Sequence, residues 1–312
     1  MTEGGIIGAS ARLLAPAKVN LALRVVGRRA DGYHLLESWM VFFPLHDLLT
    51  VTITEAGIYV TCDPPVTGSV EENLVWRAAR LLADRYGVSC GVRLELVKKI
   101  PHGAGLGGGS SDAALTLLAL NRLWGLDRSL AELIELGVRL GADVPFFLGG
   151  TAALVGGIGE RLTPLPMPLT GSLVLLFPGE GVATGRVFGR LNGRFPERDA
   201  PLGMPEAGEG WIGGLENDLE SPAMAIAPVI GAARAALKAA GARTTLMSGS
   251  GSTVFGVFPD AAHATEAAAR IGANHPDWQV FSGGILNTHP FYAGLGALRG
   301  DGRGHPGAGG PR

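Results

Sequence analysis

The chain has few of the features that mark secreted, membrane-spanning or nucleic-acid-binding proteins. Its 312 residues include only two cysteines, Cys62 and Cys90, which are too few for a disulfide framework and lack metal-ligand spacing. No run of about 18 apolar residues is present to span a membrane, and the first residues lack the basic and apolar regions of a secretory leader. The net charge of −2 offers no basic footprint for nucleic acid. We therefore expect a soluble cytoplasmic protein without a nucleic-acid or membrane partner.

Glycine, by contrast, is abundant, and its densest cluster follows a predicted strand. Val92, Leu94 and Leu96 alternate with polar residues, which predicts a half-buried strand. The next segment reads Pro101-His102-Gly103-Ala104-Gly105-Leu106-Gly107-Gly108-Gly109-Ser110-Ser111-Asp112. The apolar stretch 113–124 then predicts a buried helix. A glycine loop between a strand and a helix start turns several backbone N–H groups toward one point, so we expect residues 101–111 to cradle a phosphate.

This loop matches neither of two familiar nucleotide-binding motifs. Read as G-x-x-x-x-G-K-[ST], it has Gly109 where the lysine belongs. Read as G-x-G-x-x-G, it should lead through its helix into another strand, but a capping box at Ser129–Glu132 opens a second helix. The loop is therefore predicted to be a third kind of phosphate cradle, which needs a cation from elsewhere. A glycine-rich turn that binds nothing is the alternative. The hydroxyls of Ser110 and Ser111 are expected to contact the phosphate or its magnesium ion.

The early part of the chain predicts an alternating strand that carries a lysine. Lys18 and Asn20 share one face, while Val19 and Leu21 share the other. On pattern alone, Lys18 is as well explained by a solvated strand face as by a functional site.

Three further positions have both an ordinary and a functional interpretation. Asp143 stands alone among apolar residues at an element boundary, where it could cap a helix or act as a general base or metal ligand. Tyr33 and His34 leave an Asp-Gly turn and could form a rim pair or bind a ring. A second glycine-serine loop, residues 246–253, could be a plain hairpin turn or could close over the first loop. Residues 184–191 predict a short helix that includes Phe188.

Three separated segments together resemble the three motifs of the GHMP kinase superfamily. They are Pro16-Ala17-Lys18-Val19-Asn20-Leu21, residues 101–111, and Met247-Ser248-Gly249-Ser250-Gly251-Ser252. Residues 29–34 and 140–145 are similar, more narrowly, to the family that phosphorylates 4-diphosphocytidyl-2-C-methyl-D-erythritol in the non-mevalonate isoprenoid pathway.

The resemblance implies an α+β fold of two domains with the active site in the cleft between them. Residues 13–163 would form an N-terminal, ATP-binding domain of the type of ribosomal protein S5 domain 2. Residues 164–288 would form a ferredoxin-like α/β sandwich. The boundary between the two domains would fall at the proline-rich stretch 163–168. Residues 1–12 would be a flexible entry and residues 289–312 a disordered tail. A monomer or weak dimer is expected.

The resemblance also implies a role for each motif residue in ATP-dependent phosphorylation of the substrate 2-hydroxyl. Asp143 would be the catalytic base and Lys18 its catalytic partner, with residues 101–111 holding ATP and its Mg²⁺. No separate protein metal site is expected. The substrate would be bound by eight residues: Asn20, Tyr33, His34, Thr184, Phe188, Gly249, Ser250 and Gly251. Among these, Tyr33 and Phe188 would sandwich the cytosine ring, while His34 would read its polar edge.

Other functions remain open at this point. The chain could be another GHMP kinase that acts on mevalonate, homoserine or a sugar, the related diphosphomevalonate decarboxylase, or a silent nucleotide-binding regulator. Tyr33 and His34 favour a cytidine-bearing substrate, and the presence of both Lys18 and Asp143 argues against a silent regulator. A serine hydrolase built on Ser250 is disfavoured, because the surrounding residues do not form G-x-S-x-G.

Overall fold

The computed structural model describes residues 6–193, 195–207 and 209–292, which form two β-sheets with flanking helices. The strands are β1 (Ser10–Arg28), β2 (His34–Thr54), β3 (Ile58–Asp63), β4 (Gly91–Val97), β5 (Ala153–Gly157), β6 (Arg161–Pro164), β7 (Ser172–Phe177), β8 (Glu216–Asn217), β9 (Thr244–Met247), β10 (Val254–Phe258) and β11 (Gln279–Gly284). The helices are α1 (Leu74–Tyr86), α2 (Gly108–Leu123), α3 (Leu130–Val138), α4 (Val144–Gly149), α5 (Thr184–Gly189), α6 (Glu220–Met224), α7 (Val229–Ala239) and α8 (Ala261–Asn274), with a 3-10 helix at Gly210–Gly214. Over these ranges no helix combines the length and hydropathy needed to cross a bilayer.

The first sheet has seven strands and is covered by helices on one face. Its main order is β3-β4-β2-β1-β8, with β5 added to β2 and β6 added to β5. The pairs β3–β4 and β1–β8 are parallel, and the others are antiparallel. Helices α1 to α4 share one apolar core with β1, β2 and β4. Two helix caps that the sequence predicts are present: Ser129, and Asn73 at the start of an apolar-periodic stretch that Gly87 ends.

The second sheet has the ferredoxin-like arrangement predicted for the C-terminal half. Its order is β11-β7-β10-β9, all antiparallel, and its elements follow one another as β7, α7, β9, β10, α8, β11. Along β7 the side chains alternate, so that Leu173 and Leu175 pack toward the first sheet while Val174 and Leu176 pack against the helices. The molecule is therefore layered as helices, sheet, sheet, helices, and the predicted α+β class is confirmed.

Strand β1 keeps the predicted alternation only as far as Asn20. Between Asn20 and Ala22 its register against β2 shifts, because Leu21 is an extra residue on β1. Such a bulge re-aims the side chains that follow it. As a result Leu23, predicted to lie on the face opposite Lys18, lines the same cavity as Lys18 and Asn20.

Strand β2 is continuous, although the alternation of Leu49, Val51 and Ile53 predicts a strand separate from the one at 35–43. Pro44 is exposed at a register shift between β1 and β2, a position where a proline is tolerated within a sheet. Helix α2 likewise begins earlier than predicted, at Gly108 rather than after Asp112. The end of the glycine loop is thus already the first turn of the helix.

The predicted flexible entry, residues 1–12, and the predicted disordered tail, residues 289–312, both include residues that are ordered in the structure. Residues 10–12 of the expected flexible entry already pair with β2 at positions 50–52. Residues 289–292 of the expected tail pack on the first domain, where His289 is fully buried and the Tyr292 hydroxyl donates to the Leu148 carbonyl at 2.6 Å. Aromatic side chains hold this segment, and the glycine-rich composition begins only after it. Residues 1–5 and 293–312 lie outside the described residues.

The two sheets are not strictly consecutive along the chain. Strand β6 ends at Pro164 and β7 begins at Ser172, so the proline-rich stretch 163–168 falls in the connection between the sheets. Strand β8, from the second half, nevertheless pairs with β1. Leu286 and Thr288 also form bridges with Phe42 and Thr151 of the first half.

A buried charged cluster connects β2, the end of β4 and helix α2 below the glycine loop. Lys98 pairs with Asp112 at 2.7 Å between Nζ and Oδ2, and also with Asp47. The other oxygen of Asp47 accepts hydrogen bonds from the backbone N–H groups of Lys99 and Ile100. Because these contacts hold both the strand end and the helix start, the cluster fixes the two ends of the glycine loop.

The cluster contains one cation for two carboxylates, which affects the protonation of Asp112. Burial raises the pKa of Asp112 to about 7, against an opposing effect of Lys98 and with a further increase from Asp47. The Oδ1 atom of Asp112 has no hydrogen-bond partner among the described residues. Ionising this carboxyl therefore destabilises the folded state relative to the unfolded chain, where it titrates near 3.8.

We predict that Asp112→Asn changes how stability depends on pH. Between about pH 4 and pH 7 the folded wild type binds more protons than the unfolded chain, so its free energy of unfolding falls as pH rises, by up to about 1.4 kcal/mol per pH unit for one proton. Urea titrations at pH 5, 6, 7 and 8 should show this fall in the wild type and in the surface control Asp84→Asn. The Asp112→Asn variant should lack it. Equal pH slopes in all three proteins would contradict the assignment.

Candidate active site

A cavity of about 450 Å³ lies where the first glycine loop, β1, β2, the α3–α4 connection and the second glycine-serine loop meet. Lys18, Asn20 and Asp143 all form part of its wall. Residues that were far apart in the sequence are therefore brought to one place. The wall also includes apolar residues from β1, β2 and β5, namely Leu23, Leu36, Met40 and Val155.

Most of the predicted phosphate cradle lines this cavity. The nine cradle residues in its wall are Pro101, His102, Gly103, Ala104, Gly105, Gly107, Gly108, Gly109 and Ser110. Two predicted members do not reach the wall. Leu106 is buried in the core between the sheets, and Ser111 is fully buried. Both side chains point into the protein, so they support the cradle and do not form its surface.

Gly107 sets the direction in which helix α2 begins. It is the N-cap residue in the left-handed conformation, with φ of 72°, and a Cβ there would lie 3.0 Å from the Lys18 side chain. The Ser111 N–H donates to the Gly107 carbonyl at 2.9 Å. The N–H groups of residues 108–110 precede that bond, and N–H groups in this first turn have no partner within the helix. The helix start therefore offers donors to an anion in the cavity.

The two glycine loops are in direct contact. A Cβ on Gly105, whose φ is 76°, would lie 2.3 Å from the Ser248 carbonyl oxygen, so no side chain fits there. The Ser248 hydroxyl donates to the Gly105 carbonyl at 3.2 Å, and the Thr253 N–H donates to the Ala104 carbonyl at 3.1 Å. The second loop joins β9 to β10 and also packs on the first, so both of its sequence-based interpretations hold.

Lys18 and Asp143 form an ion pair in the cavity wall. Lys18 Nζ lies 3.5 Å from Asp143 Oδ2, and the side chains are 3% and 37% exposed. Asp143 occupies the N-cap position of helix α4, as the ordinary interpretation predicted, but its carboxylate makes no capping hydrogen bond. The carboxylate is free to face the cavity, with a cation beside it.

Asn20 holds the lysine in place. Lys18 Nζ donates to Asn20 Oδ1 at 2.5 Å, and Asn20 Nδ2 donates to the Ser38 hydroxyl at 2.8 Å. The Ser38 hydroxyl donates in turn to the Ala22 carbonyl. The Lys18 backbone is fixed as well, because its N–H donates to the Leu106 carbonyl at 2.9 Å. The ammonium position is thus determined by both its side chain and its backbone.

The predicted substrate residues divide into two groups. Asn20, Thr184, Phe188, Gly249 and Ser250 line the cavity, and the Thr184 and Ser250 hydroxyls are 2.8 Å apart. Tyr33, His34 and Gly251 do not line it.

Two of the three rings of the predicted cytosine site, His34 and Phe188, are in contact with each other. His34 stacks on Phe188 with ring centroids 4.6 Å apart, while Tyr33 is 58% exposed. One face of Phe188 is therefore occupied by His34. Burial, followed by the charge of Arg28, lowers the pKa of His34, so its ring is neutral near pH 7 and carries one donor and one acceptor nitrogen.

Several cavity residues were not identified from the sequence. Lys98, Asp112 and Asn73 line the cavity beside the cradle, near Leu74 and Leu96. Asn73 was predicted only as a helix cap and Asp112 only as the end of the motif. The one available signal for Lys98 was its position immediately after the strand that leads into the loop, and many surface lysines share such a position.

The protein side chains fit a magnesium ion that arrives with a nucleotide. In the described part of the chain no three His, Cys, Asp or Glu side chains gather to hold a metal. Mg²⁺ bound through nucleotide phosphates needs only one or two protein oxygens. The Ser110 hydroxyl is suitably placed, because Ser110 lies in the cavity wall beside the segment that carries Asp143.

Comparison with known families agrees with this arrangement. Residues 73–151 match the family model of the GHMP kinases N terminal domain, and residues 197–277 match that of the GHMP kinases C terminal domain.

Individual relatives indicate which family of GHMP kinases the chain is most similar to among those compared. A 4-diphosphocytidyl-2-C-methyl-D-erythritol kinase of Paramagnetospirillum magneticum is 41% identical, over 88% of this chain and 98% of its own length. A 4-diphosphocytidyl-2-C-methyl-D-erythritol kinase of Geobacter sp. (strain M21) is 45% identical, over 83% of this chain and 94% of its own length. A crystal structure of a 4-(cytidine 5'-diphospho)-2C-methyl-D-erythritol kinase matches with a TM-score of 0.74 and 39% identity, over 89% of this chain and all of that one. The chain therefore belongs to the 4-diphosphocytidyl-2-C-methyl-D-erythritol kinase family of the GHMP kinases.

Proposed function

We propose that the protein transfers the terminal phosphoryl group of ATP to the 2-hydroxyl of 4-diphosphocytidyl-2-C-methyl-D-erythritol. The observation that carries this proposal is the Lys18–Asp143 pair, at 3.5 Å, in the wall of a cavity that also contains the glycine loop. Membership of the family supports the choice of substrate.

Asp143 is the group that would take the hydroxyl proton. It is the carboxylate paired with Lys18 in the cavity wall, and with no capping bond to break its oxygens are free to accept. Lys18 lies beside it, so its charge supports the ionised carboxylate and offsets negative charge on the phosphoryl group in transfer. Phosphoryl transfer needs mainly positioning and charge stabilisation, and the fixed ammonium supplies both.

The triphosphate would lie on the cradle. The N–H groups at the start of α2 and the lining glycines offer donors without side-chain obstruction. Mg²⁺, held by phosphate oxygens with the Ser110 hydroxyl, would neutralise charge that the cradle leaves uncompensated.

The acceptor would occupy the part of the cavity lined by Phe188, Thr184 and the second loop. Phe188 has one ring face against His34 and would stack the cytosine on the other. With the cytosine on that face, His34 lies behind the Phe188 ring and would hold the ring in place for stacking, whereas the sequence predicts that it reads the polar edge of the base. Tyr33 is exposed at the edge of this group and would complete the sandwich by moving onto the bound base.

The first test compares acceptors. ATP turnover should be fast with 4-diphosphocytidyl-2-C-methyl-D-erythritol and negligible with mevalonate, homoserine or galactose, because only the first offers a cytosine ring. The measurement is ADP release coupled to product identification by mass spectrometry. Comparable turnover with any of the other three would reassign the substrate, and no turnover with any acceptor would favour a nucleotide-binding regulator.

The second prediction concerns the base. Asp143→Asn keeps the shape but cannot accept the proton, so kcat should fall by about 10²–10⁴-fold. ATP affinity, measured by calorimetry, should stay within about twofold, because the cradle lies on other residues. Asp84→Asn, in a surface ion pair with Arg80, is the matched control and should behave as wild type. A kcat close to wild type in Asp143→Asn would remove this residue from the proton transfer.

The third prediction concerns the cytosine. Loss of a stacking ring costs about 1–3 kcal/mol, so Tyr33→Ala and Phe188→Ala should each raise KM for the cytidylylated acceptor by about 5- to 150-fold. KM for ATP should hardly change. Phe195→Leu is the control, since Phe195 touches the edge of His34 but does not line the cavity. Equal effects on the two KM values would place the cytosine elsewhere.

A further inference from the structure

Asn217, a residue outside the cavity, is fully engaged by the backbone around the second loop. Its Nδ2 donates to the carbonyls of Met247 at 2.7 Å and Gly249 at 2.8 Å. Its Oδ1 accepts from the Leu219 N–H at 2.9 Å. One amide side chain therefore spans the turn from β9 into the loop and also fixes the chain that follows β8.

The backbone of Asn217 is held against β1. Asn217 lies in β8, where it pairs with Leu23 of β1. Its neighbours anchor the strand, because Glu216 forms ion pairs with Arg24 and Arg198, and Asp218 accepts from the Val25 N–H at 2.8 Å. The amide thus connects the second loop to the strand that carries Lys18.

The loop residue that Asn217 holds lies against the catalytic pair. Gly249 has φ of 58°, and a Cβ there would be 3.0 Å from Lys18 Nζ and 3.3 Å from Asn20 Oδ1. A small movement of this backbone toward the cavity would displace the ammonium group.

Holding the Gly249 carbonyl also sets the direction of the next N–H group. The peptide between Gly249 and Ser250 is trans, so its C=O and N–H point in opposite directions. With the carbonyl bound to Asn217, the Ser250 N–H faces away from Asn217, and Ser250 forms part of the cavity wall. Within the described residues, the N–H groups of Gly249 and Ser250 donate to no protein acceptor.

We propose that Asn217 is a positioning residue that presents the Ser250 N–H group to the anionic diphosphate of the acceptor and keeps Gly249 in place beside Lys18. This inference rests on the proposed function, in which the acceptor lies against the second loop. The ligand group is a diphosphate oxygen, and it is recognised by a backbone donor whose orientation Asn217 determines.

The test uses two substitutions and one matched control. Asn217→Ala removes all three hydrogen bonds. Asn217→Asp keeps the acceptor for the Leu219 N–H, which protects folding, but loses both donors. Asn287→Ala is the control. The Asn287 side chain also hydrogen-bonds the backbone, because its Oδ1 accepts from the Leu169 N–H and its Nδ2 donates to the Leu169 carbonyl, and it does not line the cavity. Melting temperatures of the three variants are measured alongside steady-state kinetics with the cytidylylated acceptor.

Both Asn217 variants should lose on the order of 10²-fold in kcat/KM for the acceptor, a loss typical of reacting groups misplaced by about 1 Å. Much of it should be a raised acceptor KM, while KM for ATP changes by less than about threefold. Asn287→Ala should retain wild-type kinetics even where its melting temperature falls by a similar amount.

Three results would overturn the inference while leaving the proposed function intact. They are an acceptor kcat/KM as high as in the control, a KM for ATP that rises with that of the acceptor, or a loss confined to Asn217→Asp, which would reflect its added charge. If the wild type itself fails to phosphorylate the acceptor, the proposed function fails first, and the inference with it.

Discussion

The site depends on backbone contact between two loops from different domains. Gly105 and Ser248 approach so closely that neither loop could shift toward the other without a clash, and Thr253 closes the contact with a hydrogen bond to Ala104. Glycine is required at position 105 because it combines a left-handed conformation with the absence of a Cβ. This contact brings the phosphate cradle of the first domain to the hairpin of the second, and Lys18 lies beside the place where they meet.

The charged groups near the cavity serve two different purposes. Asp47, Lys98 and Asp112 are almost fully buried, and their hydrogen bonds connect secondary-structure elements. Removing Lys98 would leave two buried carboxylates without a cation. The role of the cluster is to hold the ends of the loop. Asp143 is by contrast partly exposed and makes a single, longer contact with Lys18. A carboxylate that must exchange a proton with a bound substrate needs this access to the cavity, which a buried structural cluster does not provide.

Much of the architecture could be predicted because it follows from local patterns. Alternation in β4, the capping box at Ser129 and the glycine loop each depend on a few adjacent residues. The GHMP resemblance supplied the grouping of Lys18 with Asp143, which lie 125 positions apart and which no local pattern connects. The sequence could not reveal the bulge after Asn20, since it depends on pairing with β2. It also could not reveal Asn217, whose partners are backbone carbonyls that any sequence would provide.

The identity of the cation that serves the phosphate follows from the charge balance of the two lysines. Both Lys18 and Lys98 line the cavity, and the glycine loop has no lysine of its own. Lys98 is shared by two carboxylates, so the cluster around it is net negative whenever both are ionised and cannot attract further anionic oxygens. Lys18 faces one carboxylate at 3.5 Å and one neutral amide oxygen, which leaves part of its charge and a donor for the cavity. In the proposed reaction the cation therefore comes from β1, and a lysine held on a neighbouring strand takes the place of a lysine in the glycine loop.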